Sequence, residues 1–443
     1  MPVEIVSSVL LLMCGVFENS PRQFLLSRLI LLEVCAYWRA VVCSDPRFWS
    51  NLFIGDCRTL PNLDLWLSRA RGAKLHLFVD TGSYADDSRS FTRLWCSLLD
   101  LLPVIAERIA RFSLLDRHGD RGAVLLRCMS NLAASAVSRL DVSTVSTTEI
   151  DERVVEHGRW GRYLSGTSVP LKLLPSASIT SLLVRRAFLV LHSSMLSGVT
   201  HLMLGPFPSD HRLAWSSVRA MLLSCTALTL FVCDDVRCEY GPFEICDLPS
   251  LTHLRFISRD WSADYIFSVL RMPHLRILSL DGSLPSLGSV GSTSTSPSYT
   301  SVEHLVLDCP IPSDTDFVHI LRPFVNLTSL DLRRMPAESV TAFLAVRKDM
   351  LAEAQHVGEH LCPSLSSVHV GVPLSASESA GVLEDVHRGV FSPGCTLNHV
   401  ASSCAGGAAR VEGAFRMVDG RVVSSAYLEP VETCDLFDDS FCG

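Results

Sequence analysis

Residues 249–258 read Pro-Ser-Leu-Thr-His-Leu-Arg-Phe-Ile-Ser, and residues 273–282 read Pro-His-Leu-Arg-Ile-Leu-Ser-Leu-Asp-Gly. Both segments place apolar residues at the same three offsets, Leu251/Leu254/Phe256 in one and Leu275/Leu278/Leu280 in the other. The last two of each triplet alternate with other residues, as a half-buried strand requires. The proline two positions before each triplet ends a helix and leads into extended chain. The same apolar-x-x-apolar-x-apolar unit occurs upstream at Ile109/Phe112/Leu114, Val137/Leu140/Val142, Ile179/Leu182/Val184, Val199/Leu202/Leu204 and Leu228/Phe231/Cys233. Downstream it recurs at Val302/Leu305/Leu307, Leu327/Leu330/Leu332 and Leu365/Val368/Val370, the last again with a proline, Pro363, two residues ahead.

From Val199 to Leu327 successive units start 23 to 29 residues apart, and the last step, to Leu365, is 38. Between the strands lie helix-like stretches, at 213–224, 264–270, 317–321 and 339–360. A strand–helix unit of this size cannot bury its apolar faces alone, so neighbours stack and bury them in one continuous core. The period and texture resemble the leucine-rich-repeat horseshoe. No unit keeps an Asn three residues after its last apolar position, so the expected horseshoe is irregular. Residues 282–300 are rich in Gly, Ser and Thr and uncharged, and are expected to form a flexible loop inside the array.

Composition sets the outer limits. The chain has 443 residues, 48% of them hydrophobic and only 19% charged, with a net charge of −8. It is too apolar to be disordered throughout. The longest uncharged apolar stretch, Ile5 to Phe17, is 13 residues, short of the roughly 20 needed to cross a bilayer, so no membrane association is expected. That stretch has no basic residue before it and carries Glu4, unlike a signal peptide. The acidic balance and scattered Lys/Arg argue against nucleic acid as a partner. Of the 16 cysteines, many sit in apolar runs, where a reduced thiol acts as a small hydrophobe, which fits a cytoplasmic or nuclear setting.

The first fifty residues have their own texture. Pro2 and Glu4 suit a helix start, and Ile5, Val6, Val9 and Met13 follow at helical spacing. A second apolar block, 24–42, ends in Val34-Cys35-Ala36-Tyr37-Trp38-Arg39 and is followed by Asp45-Pro46-Arg47-Phe48-Trp49 and Leu52. These pieces, in this order, resemble an F-box, closest to the variant expanded in mushroom-forming (basidiomycete) fungi. The basic residue often found between the Cys and the Trp is replaced here by Ala36-Tyr37. The resemblance implies a three-helix module that packs on the Skp-like adaptor of a cullin complex. Carried over by position, the adaptor-binding residues are Pro2, Ile5, Val6, Val9, Val34, Cys35 and Trp38.

Catalytic and metal motifs are sparse. His356-x3-His360-x-Cys362 has metal-ligand spacing but reads better as a solvated helix face. Cys225, Cys233, Cys238 and Cys246 lack CxxC pairing. No phosphate loop, dinucleotide fingerprint, HExxH or GxSxG elbow is present. The expectation is therefore an α/β protein without catalytic residues, metal or cofactors. Its parts are an F-box-like module at 1–53, a connecting helix–strand region at 54–108, a leucine-rich-repeat-like solenoid at 109–372 and a largely irregular tail at 373–443. As a ligase subunit it would bind an unknown protein substrate through the repeats, and the alternative is a repeat scaffold without a ligase role.

Overall fold

Three helices open the chain, and local signals explain each. Helix α1 is Val3–Gly15, with Glu4 favourably placed in its first turn. Helix α2 is Pro21–Val34 and starts on a proline, which tolerates the first turn. Helix α3 is Ala36–Ser44. Between α2 and α3, Cys35 takes an extended conformation, and its Sγ accepts the Trp38 amide at 3.4 Å. Asp45 ends α3 and caps the 3-10 turn Pro46–Trp49, accepting from the Arg47 amide at 2.9 Å and from the Ser7 hydroxyl. Partial burial would raise the Asp45 carboxyl, but the hydrogen bonds from Arg47 and Ser7 outweigh it and hold it below the usual carboxylate range.

The computed structural model describes residues 2–15, 21–55, 62–80, 98, 100–116, 137–144, 170–171, 179–185, 190–191, 196–205, 213–234, 236, 238–239, 244–258, 269–282, 299–308, 321, 323–332, 364–370, 396–401, 411–418 and 421–425. The fold is mixed α/β and dominated by parallel sheet. The chain divides into two compact units, Met1–Met203 and Leu204–Thr433.

In the first unit the strands add in chain order: β1 Asn51–Ile54, β2 Leu75–Asp80, β3 Ile109–Asp116, β4 Arg139–Thr144, β5 Ser181–Arg185 and then β6 His201–Leu204, whose last residue opens the second unit. The pairing from β1 to β5 is parallel. Register follows the triplets. Leu52 pairs with Leu77, Leu77 with Phe112, Phe112 with Leu140 and Leu140 with Leu182, all buried. Helix α4, Leu63–Ala70, lies between β1 and β2 and buries Leu63, Trp66 and Ala70.

The strand series starts earlier than the sequence suggested. Trp49, Leu52 and Ile54 form a triplet of the same spacing, each at most 2% exposed. Strand β1 therefore crosses the expected boundary at 53, and the strand of the expected connecting helix–strand region, β2, already belongs to the series.

In the second unit, β7 Leu230–Asp234, β8 His253–Ser258, β9 Ile277–Gly282, β10 His304–Asp308, β11 Ser329–Leu332 and β12 Ser367–Val370 run parallel in chain order. Phe231, Leu254, Leu278, Leu305, Leu330 and Val368 stand in one cross-strand row. Helix α5, Trp215–Ser224, precedes β7 and buries Trp215, Val218 and Leu222. At the C-terminal end, where a largely irregular tail was expected, the described residues form strands. Strand β13, Thr396–Ala401, pairs parallel with β12, and β14 Val411–Val418 and β15 Arg421–Ser425 follow antiparallel. The expected loop at 282–300 and the helical stretch at 339–360 lie almost wholly outside the described residues.

Two features hold the repeats in step. Three residues before each of the six triplets from Val199 to Leu327 stands another buried apolar residue, Leu196, Cys225, Leu248, Met272, Tyr299 or Phe324. Its carbonyl accepts the amide of the first triplet residue at 3.0–3.2 Å, closing a tight turn into the strand. The second feature is a hydroxyl ladder. In place of the missing Asn, a Ser or Thr stands directly after the first apolar residue. Thr180 donates to the Ser138 carbonyl, Thr200 to Thr180, Thr252 to Thr229, Thr328 to Glu303 and Ser366 to Thr328, all at 2.9–3.1 Å. The accepting carbonyl also takes backbone amides from the next strand, so strand starts are aligned by shared acceptors. In two of the triplets without the hydroxyl, Arg276 and Glu303 hold the same places and pair across strands at 2.6 Å.

Gly205 shows how tight one approach is. It has φ +98, and a Cβ there would lie 1.7 Å from the Asp234 carbonyl oxygen. Only glycine fits both the conformation and the space.

Candidate docking surface and strand-face cluster

Helices α1, α2 and α3 pack on one another, and each turns apolar residues to solvent as well as to the core. On α1, Val6, Leu10 and Cys14 recur every four residues and are buried. Ile5, Val9, Leu12 and Met13 lie on the outer side, 48–72% exposed. On α2, Phe24, Arg28 and Leu31 face inward, and Leu26, Leu29, Ile30 and Val34 are 45–62% exposed. Tyr37 is exposed and Trp38 half-buried on α3.

Of the residues carried over from the F-box resemblance, Pro2, Ile5, Val9, Val34 and Cys35 are exposed and Trp38 is partly so. Val6 is the exception. At 8% exposure it packs inside the module, so its contribution is to the fold and not to a contact surface. The sequence reading overlooked Leu12, Leu26, Leu29 and Ile30. The spacing of 26, 29/30 and 34 carries the signal along one side of the helix.

Beneath this surface sits a buried cation. Arg28 is fully buried, with its guanidinium 4.5 Å from the Trp49 ring centre and 4.6 Å from that of Trp66. Arg69 lies over Trp49 at 4.4 Å. Arg28 Nη1 donates to the Phe48 carbonyl at 3.0 Å, while Nε and Nη2 have no partner. Burial pushes the Arg28 pKa down to about 10, still far above neutrality. One side chain of α2 thus joins the 3-10 turn to α4.

The strands of the first unit carry a second cluster, on the face opposite the buried row. Cross-strand register brings Asn51 beside His76, Phe53 beside Phe78, Arg111 beside Arg139 and Ser113 beside Asp141. The Ser113 hydroxyl donates to Asp141 Oδ2 at 3.0 Å, Arg111 Nε donates to the same oxygen at 3.0 Å, and Arg139 Nε donates to Oδ1 at 3.0 Å. The single Ser113 proton is therefore spent on Asp141, and the 3.0 Å contact with His76 Nε2 is a hydrogen bond from the ring to Ser113 Oγ. His76 is neutral: burial first, and then the Arg111 charge, push its pKa down to about 3. The serine lies between His and Asp, whereas a nucleophile relay needs the imidazole in the middle. This arrangement positions polar groups and does not activate Ser113.

Among the described residues no cluster of three or more His, Cys, Asp or Glu is placed to hold a metal. His356, His360 and Cys362 lie outside them. Cys225, Cys233 and Cys246 are buried, and burial pushes the Cys225 thiol up to about 12 and that of Cys246 to about 11. Among the described residues no helix is long and apolar enough to cross a membrane. No family model matches the chain, and no curated protein matches it either.

Proposed function

We propose that the chain is the substrate-recognition subunit of a Skp–cullin–F-box type ubiquitin ligase. In this reading α1–α3 are the F-box that docks on a Skp-like adaptor, and the chain-ordered parallel strands are an irregular leucine-rich-repeat horseshoe that holds a protein substrate. The observation that carries it is the row of apolar side chains left in solvent on all three helices, from Ile5 to Tyr37. Apolar surface concentrated in this way on a small helical module favours coverage by a partner. Its only chemical role is proximity: it raises the effective concentration of a target lysine near a ubiquitin-charged enzyme.

The test is co-purification with a Skp-type adaptor. Ile5 and Val34 are 52% and 53% exposed, so Ile5→Asp with Val34→Asp leaves the fold intact by circular dichroism. The wild type is expected to retain the adaptor and the double variant to lose it. If the wild type fails to bind, or the double variant still binds, the docking assignment is wrong and a scaffold without ligase role becomes the better reading.

A further inference from the structure

Helix α4 runs into a basic turn. Arg69 stands in its last turn, and Arg71 and Lys74 follow before β2 begins. The Ala73 amide donates to the Ala70 carbonyl at 2.9 Å, so the chain folds back tightly here. Arg108 is the last residue of the 3-10 turn that leads into β3. Its Nε and Nη2 both donate to the Ala73 carbonyl at 3.3 Å, which sets a fourth cation one residue from Lys74. Arg71 and Lys74 are exposed, and Arg69 and Arg108 are half-buried. A Cβ on Gly72 would meet nothing within 4 Å, so the turn is open to solvent. Among the described residues none of the four cations is in an ion pair. Arg69 lies over the Trp49 ring and Arg108 holds a neutral carbonyl.

The helix accounts for only part of this charge. Arg69 suits the negative end of α4, but that field fades beyond the last turn, and Arg71 and Lys74 lie past it. Even counted against Asp64 at the far end of α4 and Glu107 beside Arg108, the four cations leave a positive surplus. Arg71 also sits at φ 47 and ψ −125, a conformation suited to glycine, although Gly72 is the next residue. Among the described residues its side chain makes no hydrogen bond that would require arginine there. A strained residue whose side chain is left to solvent points to a contact outside the fold. Charge also selects the partner. The whole chain carries −8, so an extended polyanion such as nucleic acid or an anionic membrane meets repulsion from the rest of the surface. A short acidic segment lies within the roughly 8 Å over which charges act at physiological salt, and meets the turn alone. We propose that this turn is a docking surface for an acidic peptide segment of a partner protein, with Arg71 and Lys74 as its contact cations. The inference stands on the charges and the turn, and not on the ligase reading.

The experiment is fluorescence anisotropy on the full chain with a labelled hexaglutamate peptide. The comparisons are a hexaglutamine peptide with the same label, a labelled single-stranded oligonucleotide, and vesicles of mixed phosphatidylserine and phosphatidylcholine. The expected result is binding of hexaglutamate and not of hexaglutamine. Raising salt from about 0.1 to about 1 M shortens the screening length from about 10 to about 3 Å and should weaken binding at least tenfold. Arg71→Gly with Lys74→Gln should weaken it about tenfold, which is about 1.4 kcal/mol shared by two exposed pairs. Arg71→Gly alone relieves the backbone and should fold at least as well as wild type by circular dichroism while binding less tightly. A purely structural Arg71 would not separate folding from binding in this way. If the double variant unfolds, the two single variants carry the test. Equal binding of hexaglutamine, full binding by the double variant, or tighter binding to the vesicles or the oligonucleotide than to hexaglutamate overturns the assignment.

Discussion

Replacing Arg28 by Met should cost little, and replacing it by Ala should loosen the whole helical end. The reasoning starts from a charge with no counter-ion. Two desolvated stacking contacts at 4.5 and 4.6 Å contribute about 2 kcal/mol each, and the bond to the Phe48 carbonyl adds roughly 1.5–3 kcal/mol. Against this, depression of the pKa from 12.5 to about 10 corresponds to about 3 kcal/mol against the charged form, and the unpaired Nε and Nη2 belong to that cost. The charge itself is then favourable by about 2.5–4 kcal/mol, much of which two sulfur contacts can replace. A Met side chain keeps the stem and places sulfur between the same indoles, at roughly 0.3–1.5 kcal/mol per contact. Arg28→Met should therefore stay within about 1.5 kcal/mol of wild type, as buried charges replaced by apolar groups often do. Arg28→Ala leaves a cavity between Trp49 and Trp66 and should cost about 3–5 kcal/mol. The chain has two units, so the measurement is local: amide exchange by mass spectrometry on peptides covering α2 and α4. Arg28→Ala should speed exchange there by about 100-fold or more, and Arg28→Met by about tenfold at most. If Met proves as damaging as Ala, the charge and not the stem holds these helices, and the balance drawn here is wrong.

Two further outcomes are expected. Gly205→Ala sets a Cβ against the Asp234 carbonyl at positive φ and should cost more than about 3 kcal/mol, seen as faster exchange in the β7 peptide; a neutral result would mean that the turn relaxes freely. His76 has a folded pKa of about 3, below its usual 6.5, so its neutral form supports the fold above pH 6.5 and that support is lost as pH falls towards 3. Stability should drop by about 1.4 kcal/mol per pH unit across that window, and His76→Gln should flatten the slope; an unchanged slope would show that His76 is not the group titrating.

The triplets were readable because burial on a strand follows a period of two, which no other local structure shares. Every described triplet member whose exposure is known, from Ile109 to Leu365, is buried. Strands β1 and β2 were left out of the triplet series for two separate reasons. Trp49/Leu52 had already been claimed by the F-box pattern, and Lys74 stands where the second triplet should begin. The Thr and Ser ladder was invisible because a hydroxyl next to a leucine is common, and only alignment of successive strands shows it donating to its counterpart. The inward turn of Val6 depends on packing against α2 and α3, and helical spacing alone gives Ile5 and Val6 equal claims. Strands β13–β15 lie in a stretch rich in Gly, Ala and Ser, whose composition carries little periodicity. The strand-face cluster unites His76, Ser113 and Asp141 from three strands, a juxtaposition that exists only once register is known.

That β1 begins two residues after Trp49 has an evolutionary consequence. A module joined by a linker can be exchanged as a cassette, by recombination at the linker. Here there is no such seam: Trp49 is stacked on Arg28 of α2 and also opens the first strand triplet, and Leu52 is already paired with Leu77. A crossover at residue 53 would split a strand and strip Arg28 of Trp66, so any inherited or engineered exchange of the helices has to carry the chain through Asp80. The helices and the first two strands are thus one unit of exchange.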